Sequence, residues 1–135
     1  MALKIFNTLS GEKDEFVPLT PGRVRMYVCG VTVYDSAHLG HCRFLITFDV
    51  IYRYLRFLGF DVTYVRNFTD VDDRTIAGAQ KAGMDLRGYT DQYIAAFRED
   101  AQALGLEPVE ENPRATDEPN LRAMAEMIAA LDAHG

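Results

Sequence analysis

The chain has 135 residues, 48% hydrophobic and 25% charged, with 14 Lys plus Arg against 20 Asp plus Glu and a formal charge of −6. That is the length of one ordinary domain with enough apolar mass to bury a core. The acidic balance excludes a histone-like or polybasic nucleic-acid binder, whose affinity would come mainly from phosphate neutralisation. No apolar run is long enough to span a bilayer, so no membrane partner is expected. Met1–Thr8 lacks the basic flank and apolar stretch of a secretory signal. Two cysteines, Cys29 and Cys42, are too few for a disulfide scaffold, which reads as a reducing, cytoplasmic compartment.

In chain order, Leu3–Asn7 reads as a short strand and Ser10–Asp14, with Gly11, as a turn. Phe16–Leu19 is a second short extended piece, closed by Pro18 and the Pro21-Gly22 pair. Arg23–Cys29 alternates Val24, Met26 and Val28 with Arg25 and Tyr27, the period of a strand, and Gly30 ends it. A long helix is expected from about His38 to Leu58. Phe44, Phe48, Ile51, Leu55 and Leu58 recur at helical steps, and Leu45, Ile46 and Val50 widen the apolar face, so more than one side should be covered. Gly59 stops that helix, and Asp61–Arg66 follows as a strand. Strand, helix and strand in that order make a βαβ unit with parallel strands.

Thr69-Asp70-Val71-Asp72 fits the Ser/Thr-x-x-acid start of a capped helix, which should run to about Ala82 and stop at Gly83. A further helix spans roughly Tyr89–Leu104, with Tyr93, Phe97, Ala101 and Leu104 on one face. Glu107–Pro119 holds three prolines and five acids and reads as a loop. The last helix, about Pro119–Ala133, carries Leu121, Met124, Ile128 and Leu131 at core spacing. The whole is an α/β arrangement.

Chemistry-bearing residues concentrate where the strands end. Cys29 to His41 lies between a strand's C-terminal end and a helix N-terminus, the crevice where open parallel sheets bind ligands. The helix N-terminus offers unpaired backbone N–H groups suited to phosphate. His38 and His41, three apart, share a face of the first turn and can each donate to an anionic oxygen. They read equally well as exposed residues at a helix cap. Gly40, without a side chain, lets a flat ligand approach the backbone. Neither a Walker pattern nor G-x-G-x-x-G is present. Cys29 can be a nucleophile, a metal ligand or packing. The set Cys29, His38, His41 and Cys42 does not match paired zinc-ligand spacing, and Cys42 falls in the helix's first turn. Arg66-Asn67-Phe68-Thr69-Asp70-Val71-Asp72-Asp73 lines the same rim. Thr69 can bind a ligand or cap a helix, and the acids suit capping or, less readily, a divalent metal. Chemistry alone points to a nucleotide-like ligand site.

Tyr27-Val28-Cys29-Gly30-Val31-Thr32-Val33-Tyr34-Asp35 followed by His38-Leu39-Gly40-His41 resembles the start of the cysteinyl-tRNA synthetase family. His38–His41 is similar to the H-I-G-H signature of class I aminoacyl-tRNA synthetases, with Leu for Ile. Tyr54–Gly59, Tyr64–Asp73 and Pro113-Arg114-Ala115-Thr116 resemble further family segments, from Leu3 to the end of the chain. The resemblance implies the first half of a Rossmann-like catalytic domain in residues 1–106, a parallel sheet with flanking helices. Residues 107–135 would be an acidic, Pro-containing loop and helix opening a helical connective insertion.

The implied activity is a two-step ligation: ATP activates L-cysteine to cysteinyl-adenylate, and the cysteinyl group passes to tRNA-Cys. By that resemblance His38 and His41 are catalytic, stabilising charge on the reacting phosphates, and with Gly40 they bind ATP, a substrate that comes with magnesium. Gly30 and Thr69 would lie near the amino acid. Cys29 would be one ligand of a zinc ion that holds the substrate thiolate and so rejects serine. The other zinc ligands, the K-M-S-K-S loop and the anticodon-binding region do not occur in these residues. The expectation is a fragment of a longer enzyme, inactive alone and prone to self-association through an exposed sheet edge. Two rivals are a homologous ligase joining cysteine to an amino sugar in mycothiol synthesis and a non-catalytic nucleotide-binding module. Val33, where the former is associated with Pro, and Cys42-Arg43 favour the synthetase.

Overall fold

The centre of the fold is a pair of parallel strands joined by a helix. The structure, a computed structural model, describes residues 3–135; the reading of Met1–Thr8 reaches Met1 and Ala2, which lie outside the described residues. Strand β3 (Arg23–Val28) and β4 (Asp61–Arg66) pair in parallel from Arg23↔Asp61 to Val28↔Arg66. Helix α1 (Leu39–Phe57) makes the crossover between them. Val24, Val28, Val62 and Tyr64 turn to one side and pack with Tyr52 and Leu55 of α1. This is the arrangement that alternation in both strands requires once a helix must cover their apolar face.

The N-terminal residues form a separate antiparallel hairpin, β1 (Lys4–Asn7) with β2 (Glu12–Glu15). Part of the expected Ser10–Asp14 turn is thus strand: the turn is tightened to Thr8–Gly11, where Gly11 takes a positive φ of 75°. The expected extended piece Phe16–Leu19 forms no strand and bends at Leu19, and Phe16 packs edge-on against Phe60.

Helix α1 buries Leu45, Asp49, Tyr52 and Leu55. The expected seam through Phe44, Ile51 and Leu58 is displaced, and those three side chains are exposed along with Ile46 and Val50. Coverage on more than one side is therefore not seen among the described residues. The seam tolerates Asp49 because each carboxylate oxygen is used: Oδ1 accepts from the Glu107 backbone N–H at 2.9 Å and Oδ2 from Arg53 Nε at 2.7 Å. A charge buried with such partners avoids most of its desolvation cost.

Helix α2 (Asp73–Ala82) begins at Asp72, not at Thr69. Asp72 accepts from the backbone of Arg74 and Thr75, and Thr75 Oγ1 accepts from the Asp72 N–H in return, a complete capping box. Gly83 closes the helix in the left-handed region. Helix α3 (Leu86–Ala103) buries Tyr89, Thr90, Ile94 and Phe97, while Leu104 is its exposed C-cap. Phe97 meets Phe68 edge-on beneath Val33 and Leu45, making a second core cluster.

As expected, the chain from Glu107 to the start of α4 is a loop, but one held in place. It runs beside β4 with parallel bridges Val65↔Glu111 and Phe68↔Arg114. Glu110 anchors it, taking Tyr52 Oη at 2.7 Å on one oxygen and the Tyr64 N–H at 2.8 Å on the other. Its far end is locked by Asp70, which is 1% exposed. Asp70 accepts from Arg114 Nε at 2.8 Å, Thr116 N at 3.0 Å and Thr116 Oγ1 at 2.5 Å. Arg114 also holds Asp91 and, at 2.9 Å, Thr90 Oγ1. Burial pushes the Asp70 carboxyl up, but the bonds from Thr116 and Arg114 outweigh it and hold the group below its ordinary 3.8. Helix α4 (Glu118–His134) buries none of its residues, so the core-spaced Leu121, Met124, Ile128 and Leu131 are exposed. No helix among the described residues is long and apolar enough to cross a membrane.

Candidate functional site

Beyond Val28 the two parallel strands stop pairing and then resume. Thr32 and Thr69 form a further parallel bridge, with Thr69 N on Val31 O at 3.1 Å and Val33 N on Thr69 O at 3.2 Å. Between the ladders sit Cys29–Gly30 on one side and Asn67 on the other. The backbones come so close that a Cβ on Gly30 would lie 1.4 Å from the Asn67 carbonyl oxygen. Only glycine allows that approach. The Asn67 side chain fills the interruption: Oδ1 accepts from Gly30 N at 2.8 Å and from Tyr27 Oη at 2.9 Å, and Nδ2 donates to Thr69 Oγ1 at 3.3 Å.

The chain then turns into α1 through a capping box built from two histidines. His38 is the N-cap, with extended φ −123° and ψ 171°, and its Nδ1 accepts from Gly40 N at 3.0 Å. His41, three residues on, accepts the His38 N–H on its own Nδ1 at 3.2 Å. In the ordinary box these places belong to Ser or Thr and to Glu or Gln. Accepting at Nδ1 assigns the ring proton to Nε2 in both residues. Neither Nε2 has a partner among the described residues, and the rings lie side by side, centroids 4.0 Å apart. Burial first, and then the neighbouring His38, hold His41 below its ordinary 6.5, which favours the neutral ring that the cap requires. Gly40 has a use the sequence did not suggest. A Cβ there would press on the His38 ring, 2.8 Å from Cε1, so the absent side chain makes room for the cap itself.

These elements enclose an open pocket of about 450 Å³ at the C-terminal ends of β3 and β4, whose walls include Cys29, Gly30, His38 and His41. Of the candidate residues, those four are brought together. Thr69 is one step behind, reached through Asn67, and Gly40 lies under His38. Tyr34, which the motif contains but which was given no role, and Arg74, which lies outside the motifs, also line the pocket. The Arg74 guanidinium stacks 4.5 Å over the Tyr34 ring and pairs with Asp72 at 3.2 Å. An Arg two residues after a helix N-cap on the crevice rim was the one signal that could have found it.

The site therefore offers two imidazole N–H donors, the positive end of the α1 dipole and a tethered guanidinium, a set that suits an anionic ligand. Cys29 is an exposed free thiol and Cys42 is half-buried. No group of three His, Cys, Asp or Glu side chains among the described residues could hold a metal ion. A tetrahedral zinc does not fit this segment by itself, and Asp70, Asp72 and Asp73 are not gathered into a metal site.

Against known proteins, residues 15–135 match the family described as tRNA synthetases class I (C) catalytic domain. The chain is 58% identical over 131 residues to a cysteine–tRNA ligase of Syntrophobacter fumaroxidans, covering 97% of this chain and 26% of that protein. It is 55% identical over 133 residues to that of Thioalkalivibrio sulfidiphilus, covering 98% and 28%. The chain thus spans about a quarter of the length of these curated relatives. Among solved structures, the Agrobacterium radiobacter LeuRS in a ternary complex with tRNA and LeuAMS superposes with a TM-score of 0.71 at 19% identity, over 88% of this chain and 15% of that one. Mycobacterium tuberculosis methionyl-tRNA synthetase with methionyl-adenylate gives 0.63 at 22%, over 70% and 19%. These two likenesses speak for the fold alone.

Proposed function

The chain belongs to the class I (C) tRNA synthetase catalytic-domain family, and from that premise we propose that it is part of a cysteine–tRNA ligase, contributing the floor of the ATP and cysteine sites. The observation that carries this reading is the double-histidine cap at the C-terminal ends of β3 and β4, facing Cys29 and Gly30 across one pocket. Identity above 50% to cysteine–tRNA ligases over nearly the whole chain supports the substrate.

In the proposed reaction a carboxylate oxygen of cysteine forms a bond to the α-phosphorus of ATP. The bond from that phosphorus to the bridging oxygen breaks, and pyrophosphate leaves with the electron pair. The cysteinyl group then passes to a hydroxyl of the terminal adenosine of tRNA-Cys, releasing AMP. His38 and His41 donate from Nε2 to phosphate oxygens as charge builds there. Because both rings are fixed through Nδ1, they need no reorganisation to do so. The α1 N-terminus adds its partial charge on the same side. Gly30 and Thr69 border the amino acid, and ATP enters as its magnesium complex. Of a zinc set, this segment supplies only Cys29 as a thiolate donor, and zinc takes no part in the steps assigned to these residues. Use of tRNA by a soluble cytoplasmic enzyme belongs to the same proposal.

The test is cysteine-dependent exchange of pyrophosphate into ATP by a ligase of full family length carrying these residues. We expect exchange with cysteine and not with serine, and a loss of about 10²-fold or more in His38→Ala and His41→Ala, the scale of removing one preorganised donor. Cysteine-independent exchange, or histidine variants at wild-type rates, would refute it.

A further inference from the structure

We infer that Asn67 is a positioning residue for the amino-acid side of this pocket, acting through its side-chain oxygen on Cys29 and Gly30. This rests on the function proposed above. Strand β3 ends at Val28 and cross-strand bonding resumes only at Val31 O, which accepts from Thr69 N, so Cys29 and Gly30 have no strand partner of their own to fix them where they enter the pocket. Asn67 Oδ1 supplies that partner. It takes the Gly30 N–H at 2.8 Å and the Tyr27 hydroxyl at 2.9 Å, and so brackets Cys29 from both sides along the chain. An amide oxygen has two lone-pair sites, and both are committed here.

The close backbone approach makes the arrangement specific. The Asn67 carbonyl occupies the place of a Gly30 Cβ, so the Asn67 side chain starts within reach of the Gly30 amide. The other end of the side chain is replaceable. Nδ2 donates to Thr69 Oγ1 at 3.3 Å, and a hydroxyl can turn round and donate instead when it faces an oxygen. The irreplaceable atom is therefore the acceptor Oδ1. No contact places Asn67 itself on a reacting group.

This separates two variants that a merely structural role would not. In the full-length ligase, Asn67→Ala removes the acceptor and should raise KM for cysteine about 2- to 10-fold, the range of one lost hydrogen bond, while KM for ATP stays within twofold. Asn67→Asp keeps the acceptor and should restore KM for cysteine to within twofold of wild type. Tyr27 is well exposed, so Tyr27→Phe will fold even if Asn67→Ala does not. It frees one arm of the clamp and should raise KM for cysteine about 2- to 5-fold with KM for ATP unchanged. The inference fails if Asn67→Asp behaves like Asn67→Ala, if ATP and cysteine KM rise together, or if Tyr27→Phe leaves the cysteine KM unchanged. Those failures occur in an enzyme whose wild type exchanges pyrophosphate with cysteine. A wild type that does not exchange overturns the proposed function and this inference with it.

Discussion

Gly30→Ala tests the account of the crevice most directly. Gly30 is not at a positive φ, so its need for glycine comes from proximity alone. The new Cβ would stand 1.4 Å from Asn67 O and 2.5 Å from Asn67 C, both backbone atoms that cannot swing aside. Opening that gap to an ordinary contact pulls β3's extension from β4's. It strains the Gly30–Asn67 bond at 2.8 Å and the two bonds that tie Val31 and Val33 to Thr69 at 3.1 and 3.2 Å. At about 1 kcal/mol for each hydrogen bond, the loss is roughly 3 kcal/mol. An unfolding entropy of about 2.1 cal/mol/K per residue converts this, for a chain of this length, into a fall in Tm of about 10 °C. Gly40→Ala is the contrast. Its Cβ meets only side-chain atoms, His38 Cε1 at 2.8 Å and Nδ1 at 3.0 Å, and that ring can rotate away at the cost of one cap bond, about 1 kcal/mol, so Tm should fall by only about 3–4 °C. Thermal unfolding followed by circular dichroism at one pH measures both. Gly30→Ala melting within about 3 °C of wild type would refute the close-approach argument.

The histidine cap predicts a pH dependence. His41 is held below 6.5 in the fold, so its contribution is present above that pH and is lost as pH falls through the window beneath it. His41→Gln keeps an acceptor at the third helical position but does not titrate. Between about pH 7.5 and 5.5 it should lose roughly 1 kcal/mol less stability than wild type, and equal losses count against the cap. Arg114→Met leaves Asp70 buried and unpaired and should cost about 3–5 kcal/mol. Arg87→Met, at the exposed pair with Asp117, should cost about 0–1 kcal/mol; similar values from urea titration would show that the Asp70 lock carries no special weight. The exposed α4 residues Met127, Ile128 and Leu131 predict that the 135-residue polypeptide self-associates with concentration in sedimentation, and that Ile128→Glu reverses it. A wild-type polypeptide that stays monomeric contradicts this. The same polypeptide should give no cysteine-dependent pyrophosphate exchange, and a rate above its His38→Ala variant would overturn that expectation.

The fold was legible where periodicity meets a single neighbour. Val24, Val28, Val62 and Tyr64 alternate because one face of each strand meets α1, and both strands lie at their expected bounds to within a residue. It was not legible where several apolar faces compete. Helix α1 has hydrophobic residues almost all round, so spacing could not choose between the Phe44–Ile51 stripe and the Leu45–Tyr52 stripe. The choice is made by Asp49, which needs the Glu107 N–H and Arg53 and so turns its own side of the helix inward. The prolines of Glu107–Pro119 suggest a loop because Pro lacks a ladder donor. Yet Pro113 only accepts there, from the Phe68 N–H, and the pairing survives.

The start of α2 shows the same limit at shorter range. Thr69 and Asp72 both satisfy a capping pattern, and local sequence cannot rank them. Thr69 is taken by the strand bridge to Thr32, and Asp70 is needed under Arg114, so the helix can begin only after both. The histidines are the reverse case, in which the bland and the functional readings are one arrangement. The cap uses Nδ1 of each ring and leaves each Nε2 without a partner among the described residues, so fixing the helix start is what fixes the two rings beside the pocket. Protonating Nδ1 of His41 would at once remove a cap acceptor and release the ring. On this account the helix start and the anion-binding geometry cannot be separated by acid, and a variant that keeps the cap, His41→Gln, loses only the Nε2–H donor at that position.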